Sequence, residues 1–354
     1  MRVAFTPFYK DNPYQQKLMD VLRQRGYIVS DVELSMKTLF IDRKVLDNID
    51  VLHFHWLERF NVGNNYIHSL LKTVLFLIGI QISKGVKKFV WTAHNLQSHD
   101  SEHPVLEKWF LKRTIRIMDA IIVHNKYTKE RLVREYGVPS SKLHVIPHPN
   151  YIGAYPTTSE EDVLRLKSTL GLGTSDFVYM ILGKIRPYKG VLMAIDAFRN
   201  LNLPNTRLLI CGSIRYDKDR LLIEKAITGA DNIIVVPKFI EDKEISAYLA
   251  LADIMIYPYR NILTSGALLL GMSYKKACVV SDIGSMHEFL ESNFRFGDVE
   301  ELKVRLTEVS QFSKEKLRSL GESNYQRIKD DTWDNMSALT VTVYKSLFLT
   351  SSWD

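Results

Sequence analysis

Short apolar runs alternate with segments of helical period from one end of the chain to the other. The first run, Val3–Thr6, is followed by Asn12-Pro13, an N-cap and first helical position where proline's missing N–H costs nothing. Tyr14, Leu18, Val21 and Leu22 then recur at helical spacing until Gly26 closes the helix. Further strands are expected at Val51–Phe54, Phe89–Thr92 and Ala120–His124, with helices between. A second series begins near Asp176, with strands at Phe177–Leu182, Arg207–Cys211, Ile233–Val236, Ile254–Tyr257 and Cys278–Ser281. The helices separating them are long enough for right-handed crossovers between parallel strands. Uninterrupted apolar strands of this kind predict parallel sheets covered on both faces. Between the two series, Pro147–Glu161 is rich in proline, glycine and hydroxyl residues and reads as a linker.

Composition agrees with two α/β units of ordinary size: 354 residues, 46% hydrophobic and 25% charged, suit a globular chain that is neither disordered nor membrane-spanning. Cys211 and Cys278 lie far apart in apolar runs, which gives no disulfide framework and fits a reducing, cytoplasmic setting. The opening MRVAFTPFYK has no charged n-region or long apolar stretch, so no signal peptide is expected. The net charge of +7 predicts an anionic partner: nucleic acid, anionic lipid or a phosphorylated substrate. No nucleic-acid module is recognisable, and nucleic acid is not expected as the partner.

Candidate chemistry concentrates in two segments. In G-K-I-R-P-Y-K-G, directly after the strand Phe177–Leu182, Gly183 permits a tight turn beside a ligand. Lys184, Arg186 and Lys189 then place cations where the next helix begins, a natural seat for a diphosphate; a solvated basic turn is the plain alternative. In T-S-G-A-L-L-L-G-M-S, Thr264, Ser265 and Gly266 are short enough to surround phosphate oxygens as a helix starts, or to act as an ordinary N-cap.

These segments, in the order strand–GKIRPYKG–helix, ADIMIYPYR, TSGALLLGMSYKKACVVSDIG and MHE, resemble the C-terminal domain of GT-B glycosyltransferases. VLHFHWLE, WTAHNLQSHDSEHP, AIIVHNKYTKERL and KLHVIPHPNY extend the resemblance over the N-terminal half, so it covers nearly the whole chain. It is similar to the large superfamily of bacterial polysaccharide and glycolipid transferases. The resemblance implies an α/β fold of two Rossmann-like domains with a cleft between them. Residues 1–155, with about 335–354 crossing back as a final helix, would take the acceptor, and 156–334 the nucleotide-sugar donor. It implies that Arg186 and Lys189 bind the donor diphosphate, that Lys184 stands where arginine is frequent, and that Thr264, Ser265 and Gly266 cradle phosphates through backbone N–H groups. Glu288 would sit near the donor, and Phe239, within V-P-K-F-I, would border the nucleobase.

Two departures matter. Retaining members commonly carry two glutamates with seven residues between them, and the matching positions here are Leu263 and Gly271. This shifts the expectation to relatives without the pair, including inverting β-mannosyl and glucuronosyl transferases, with GDP-mannose slightly favoured as donor. The glycine-rich loop frequent after the first strand is replaced by Phe8–Gln15.

An inverting transferase needs a general base, and Arg186 and Lys189 can neutralise a leaving diphosphate with no metal or other cofactor. Nine of ten histidines precede residue 150. Asp100 is the first candidate base, with His94 or His99 as the orienting or the alternative group; the plain reading is that Asp100 or Ser101 caps the helix near Pro104. His55, Asn95 and His148 are candidates for the acceptor side or the cleft, although His148 can equally be a turn residue. His53, His55 and Glu58 lack metal-site spacing, so no metal is expected.

Leu70–Ile82 is strongly apolar but short and interrupted, which predicts a buried helix; the alternative is a peripheral contact with an anionic membrane surface through Lys84, Lys87 and Lys88, helped by Trp109–Arg116. A glycan or lipid-linked acceptor suits that alternative. Two other functions remain open: a nucleotide-sugar epimerase of the same fold, and a non-catalytic sugar-nucleotide or lipid module. No G-x-G-x-x-G follows the first strand, against a nicotinamide dehydrogenase.

Overall fold

The computed structural model describes residues 1–9, 13–61, 63, 65–84, 88–96, 103–199, 201, 203–291 and 294–349. The chain divides into two compact units. Unit 1 is Met1–Pro149 with the segment from Asp331 onward, and unit 2 is Asn150–Asp330. The divisions therefore fall after Pro149 and Asp330, not after residues 155 and 334. Asn150 is the reason on the near side: its amide donates to the carbonyls of Ile328 and Lys329 at 2.8 and 3.1 Å, tying the start of unit 2 to its own end.

Unit 1 is built on strands β1 (Arg2–Thr6), β2 (Ile28–Asp31), β3 (Val51–Phe54), β4 (Lys88–Thr92), β5 (Ala120–Val123) and β6 (Leu143–Val145). They form a parallel sheet in the order β2-β1-β3-β4-β5-β6. Val3 stands opposite both Val29 and Val51, so apolar side chains line up across three strands. The helices are α1 (Pro13–Gln24), α2 (Met36–Phe40), α3 (Tyr66–Lys84), α4 (Pro104–Ile117) and α5 (Lys126–Tyr136).

Unit 2 repeats the plan with β7 (Phe177–Leu182), β8 (Thr206–Cys211), β9 (Ile233–Val236), β10 (Ile254–Tyr257), β11 (Ala277–Ser281) and β12 (Arg295–Phe296), ordered β12-β11-β10-β7-β8-β9. Its helices are α6 (Glu160–Thr169), α7 (Val191–Arg199), α8 (Asp217–Ile227), α9 (Asp242–Leu251), α10 (Gly266–Ser273), α11 (Val299–Ser310) and α12 (Lys314–Ile328).

The last helix, α13 (Trp333–Leu349), belongs to unit 1. Met336, Val343 and Tyr344 are buried with Val3, Leu18 and Val51 in one cluster. The Arg25–Asp334 ion pair at 2.7 Å also joins α13 to the unit, but both side chains are partly exposed. Such a pair contributes at most about 1 kcal/mol. Each buried apolar side chain contributes about 1.5–3 kcal/mol, so packing decides where the helix docks.

The strand order reverses between β1 and β3 in unit 1 and between β7 and β10 in unit 2. Loops leaving the carboxyl ends of strands at such a reversal are where open α/β sheets bind ligands. The expected interior helix at Leu70–Ile82 needs correction. α3 buries Ser69, Thr73, Phe76, Ile80 and Ser83 but leaves Ile67, Leu71, Val74, Ile78 and Ile82 exposed, because the sheet covers one side of it only.

Candidate functional site

In unit 2 the reversal gathers the loop after β7 and the loop after β10. Gly183 N–H donates to Cys211 O at 2.9 Å, and Ile185 N–H to Ser213 O at 2.9 Å, extending the sheet into the turn. A 3₁₀ turn, Pro187–Lys189, follows and ends at Gly190, whose φ is +66°. A Cβ on Gly190 would lie 1.7 Å from Pro258 O. Only glycine fits there, and that contact, with the Arg260 N–H donating to Tyr188 O at 2.7 Å, clamps the basic loop to the end of β10.

The clamp sets the cations at the entry to α7. Lys189 Nζ is closely surrounded, 5.6 Å from the centre of the Tyr259 ring. Burial, then the charges of Arg186 and Lys184, lower its pKa to about 8. Arg186, whose Nη1 donates to Ile185 O at 3.0 Å, lines an open pocket of about 350 Å³ with Gly190, Lys218, Asp219 and Arg260. Lys218 and Arg260 add cations that the sequence motif did not include.

Ser265 is buried, and its hydroxyl accepts from Leu268 N–H at 3.1 Å as the N-cap of α10, the plain alternative for that side chain. Thr264 precedes it half-buried, and Gly266 packs close to Tyr151, where an added Cβ would meet the hydroxyl at 3.0 Å. Glu288 is exposed at the end of the 3₁₀ turn Gly284–Glu288, not at a helix start. Phe239, in the loop after β9, is 61% exposed. Leu263 is a buried apolar side chain, and a Cβ on Gly271 would lie 2.3 Å from the Tyr257 hydroxyl, so neither position offers a carboxylate and Gly271 has little room for one.

In unit 1 the carboxyl ends of β3, β4, β5 and β6 bring five imidazoles together. His53 stacks on His55 at 4.5 Å, His55 on His94 at 5.3 Å, and His94 on Trp56 at 4.4 Å with planes 12° apart. Tyr14 sits amid His55, His94, His124 and His148, with ring centres 4.8–5.9 Å away. His124 donates from Nδ1 to Ile146 O at 2.9 Å, which leaves Nε2 to accept from the Tyr14 hydroxyl at 3.1 Å. His53 bonds to the Tyr344 hydroxyl at 2.6 Å and to Thr92 Oγ1 at 2.7 Å.

Burial holds the cluster neutral. It lowers His53 and His124 to about 3 and His148 to about 4. Burial, reinforced by neighbouring imidazoles, puts His55 and His94 well below the ordinary value. His55 is 1% exposed, so it supports the site from inside and cannot itself touch an acceptor. His148 donates from Nδ1 to Pro149 O at 2.8 Å, the geometry of a turn residue. Asn95 reaches Glu58 Oε1 at 3.5 Å. Burial raises the Glu58 carboxyl pKa, which makes Glu58 a basic carboxylate at the end of β3 that the sequence did not single out for catalysis. His99, Asp100 and Ser101 lie outside the described residues. Among the described residues no three of His, Cys, Asp and Glu gather around a common point fit for a metal ion.

At the unit 1 reversal an open pocket of about 470 Å³ is lined by Thr6, Asp31, Glu33, Ser35, Arg59 and Lys72. Thr6 is fully buried and its Oγ1 has no hydrogen-bond partner among the described residues. Arg59 pairs with Glu33 at 3.2 Å, and Lys72 Nζ donates to Arg59 O at 3.1 Å.

Comparison with known proteins agrees with this geometry. The family model described as Glycosyltransferase Family 4 matches residues 3–149, and the one described as Glycosyl transferases group 1 matches residues 176–318. The GDP-mannose:glycolipid 4-beta-D-mannosyltransferase of Xanthomonas campestris pv. campestris is 25% identical over 276 residues, 75% of this chain and 69% of that protein. The alpha-galactosylglucosyldiacylglycerol synthase of Streptococcus pneumoniae is 25% identical over 269 residues, 70% of this chain and 64% of that protein. Sucrose-phosphate synthase from Thermosynechococcus elongatus matches with a TM-score of 0.77 at 16% identity, over 99% of this chain and 100% of that one. Anabaena HepE in complex with UDP and glucose matches with a TM-score of 0.75 at 16% identity, over 98% and 100%.

Proposed function

The chain belongs to the GT-B glycosyltransferases and uses a nucleotide-sugar donor, and on that premise we propose that it moves a mannosyl group from GDP-mannose to a glycolipid acceptor. The observation that carries this reading is the clamped loop Gly183–Gly190, which sets Lys184, Arg186 and Lys189 at the strand reversal of unit 2 where α7 begins. A diphosphate is the ligand that three cations at a helix entry suit best. GDP-mannose and glycolipid come from the Xanthomonas relative, and the pocket beside Arg59 and Lys72 is the proposed acceptor side.

The proposed reaction inverts the anomeric centre. The acceptor oxygen attacks the anomeric carbon, its proton passes to a base, and the bond to the diphosphate breaks with its electron pair staying on the phosphate oxygen. Lys189 and Arg186 balance the charge that develops there, which removes the need for a metal in this scheme. Asp100 is the proposed base, with His94 or His99 orienting it. Leu263 and Gly271 in place of the carboxylate pair of the retaining relatives support inversion, and at Gly271 the Tyr257 hydroxyl also crowds any added side chain.

The test is a thermal-shift screen of the full chain against UDP- and GDP-sugars, repeated with Lys189→Ala. Stabilisation by GDP-mannose, lost in the variant, is the expected result, followed by mannosyl transfer to a glycolipid fraction. Stabilisation without transfer to any acceptor would favour a sugar-nucleotide-binding module, and no stabilisation by any donor would overturn the reading.

A further inference from the structure

We propose that the exposed faces of α3 and α4 form a docking surface for an anionic lipid bilayer. The surface would serve a glycolipid transferase, yet it rests on observations independent of the donor loop. The two helices lie side by side in the same layer: Tyr66 meets His103 at 5.3 Å where both begin, and Phe76 meets Phe110 at 5.7 Å further along.

The apolar part is a stripe. Ile67, Leu71, Val74, Ile78 and Ile82 are 76%, 56%, 37%, 44% and 47% exposed. Their spacing of three and four residues puts them on one side of the helix. At 1.5 Å per residue the stripe runs about 22 Å. On α4, Val105 at 83% and Trp109 at 39% exposure continue the apolar surface.

Charge chooses the occupant. The sequence Tyr66–Lys84 contains no acidic residue. On α4 the exposed positions include Lys108, Lys112, Arg113 and Arg116, while the one acid, Glu107, is buried. Arg113 folds over the Trp109 ring at 5.7 Å, so cation and aromatic share one site. A surface that is apolar and basic, with no exposed acid on either helix, complements anionic head groups above acyl chains. The α3 helix lies on the bilayer and does not cross it. Although its apolar window is 18 residues long, a third of that window is buried in unit 1. Phe76 is held by Phe54 and Phe60 of the same unit.

The experiment is co-sedimentation of the full chain with phosphatidylcholine vesicles, with and without phosphatidylglycerol. The unaltered chain is expected to sediment with the anionic vesicles only, and to be released as salt rises, a result that needs no variant. Each cation near the surface multiplies partition by roughly fivefold. The triple variant Lys108→Glu/Lys112→Glu/Arg113→Glu should therefore lose more than about a hundredfold. Val74→Glu/Ile78→Glu should abolish binding with every cation retained. Both variants should keep the donor-induced thermal shift, which shows that they fold and separates failure here from failure of the transferase reading. No sedimentation of the unaltered chain with anionic vesicles overturns the proposal. So does a dimer in solution that Val74→Glu/Ile78→Glu dissolves without changing vesicle binding, which would give this face to a second copy of the chain.

Discussion

An ammonium with its pKa lowered to about 8, by burial and by Arg186 and Lys184, is destabilised until an anion arrives. A diphosphate beside it raises that pKa, so binding above pH 8 takes up a proton at Lys189. The affinity for GDP-mannose, whose diphosphate lacks the terminal ionisation of GDP, should be flat below about pH 8, where the lysine is already charged. It should weaken by up to about tenfold per pH unit above that, which isothermal titration across pH 6.5–9.5 would read. Lys189→Met should remove the pH dependence and weaken binding at pH 7 by about ten- to a hundredfold, as loss of a charged hydrogen bond does. The base is a separate question at the same scale. Asp100→Asn should lower kcat by about 10²–10⁴-fold while leaving the donor thermal shift unchanged. If turnover stays near normal, the role passes to Glu58, whose burial-raised pKa suits a proton acceptor, and Glu58→Gln should then show the loss.

Elements that carry a full apolar run were legible in the sequence, and the ones without it were not. β7 and β10 have the bounds that their runs predict, whereas β2 buries one residue of four, β6 has three residues and β12 two. An edge strand needs little burial, so it leaves little pattern. The α3 segment shows the converse: its composition says apolar but not which side the sheet covers. The basic loop could be read because its cations and glycines are local. The imidazole cluster could be read only in part, since Tyr14 on α1 and Tyr344 on α13 join it from far along the chain. Ser265 reads either way in the sequence because a capping serine and a phosphate-binding serine share the same place before a helix. The clamp on the loop invites its own test. Gly171 has φ +65° with nothing within 4 Å of an added Cβ, whereas Gly190 has φ +66° and Pro258 O at 1.7 Å. Gly171→Ala should cost about 1 kcal/mol and leave donor affinity intact. Gly190→Ala pays the same strain and must also move the loop off β10, so donor affinity should fall at least tenfold. Equal effects of the two on GDP binding would show that the contact with Pro258 does not position the cations.

The two units share an architecture but differ sharply in how acid should affect them. Unit 1 holds nine of the ten histidines, and unit 2 holds His287. Five of the nine are enclosed with their pKa values depressed, to about 3 for His53 and His124 and about 4 for His148. An unfolded histidine titrates near 6.5, so between about pH 6.5 and 4 the unfolded chain binds protons that the folded unit refuses. The sign is then fixed: stability conferred by neutral imidazoles is present above about pH 6.5 and is lost as pH falls toward the folded values. Each such histidine contributes up to about 1.4 kcal/mol per pH unit. Several together rival the about 5–15 kcal/mol that holds a typical domain folded. Calorimetry from pH 7.5 to 4.5 should therefore show a unit 1 transition that moves down steeply, with unfolding near pH 5 taking up about three or more protons. The unit 2 transition should move little over the same range. Proton uptake below about one would mean that the imidazoles charge without unfolding, and the neutral, stacked floor of unit 1 would then need an anion or an acid close enough to compensate them.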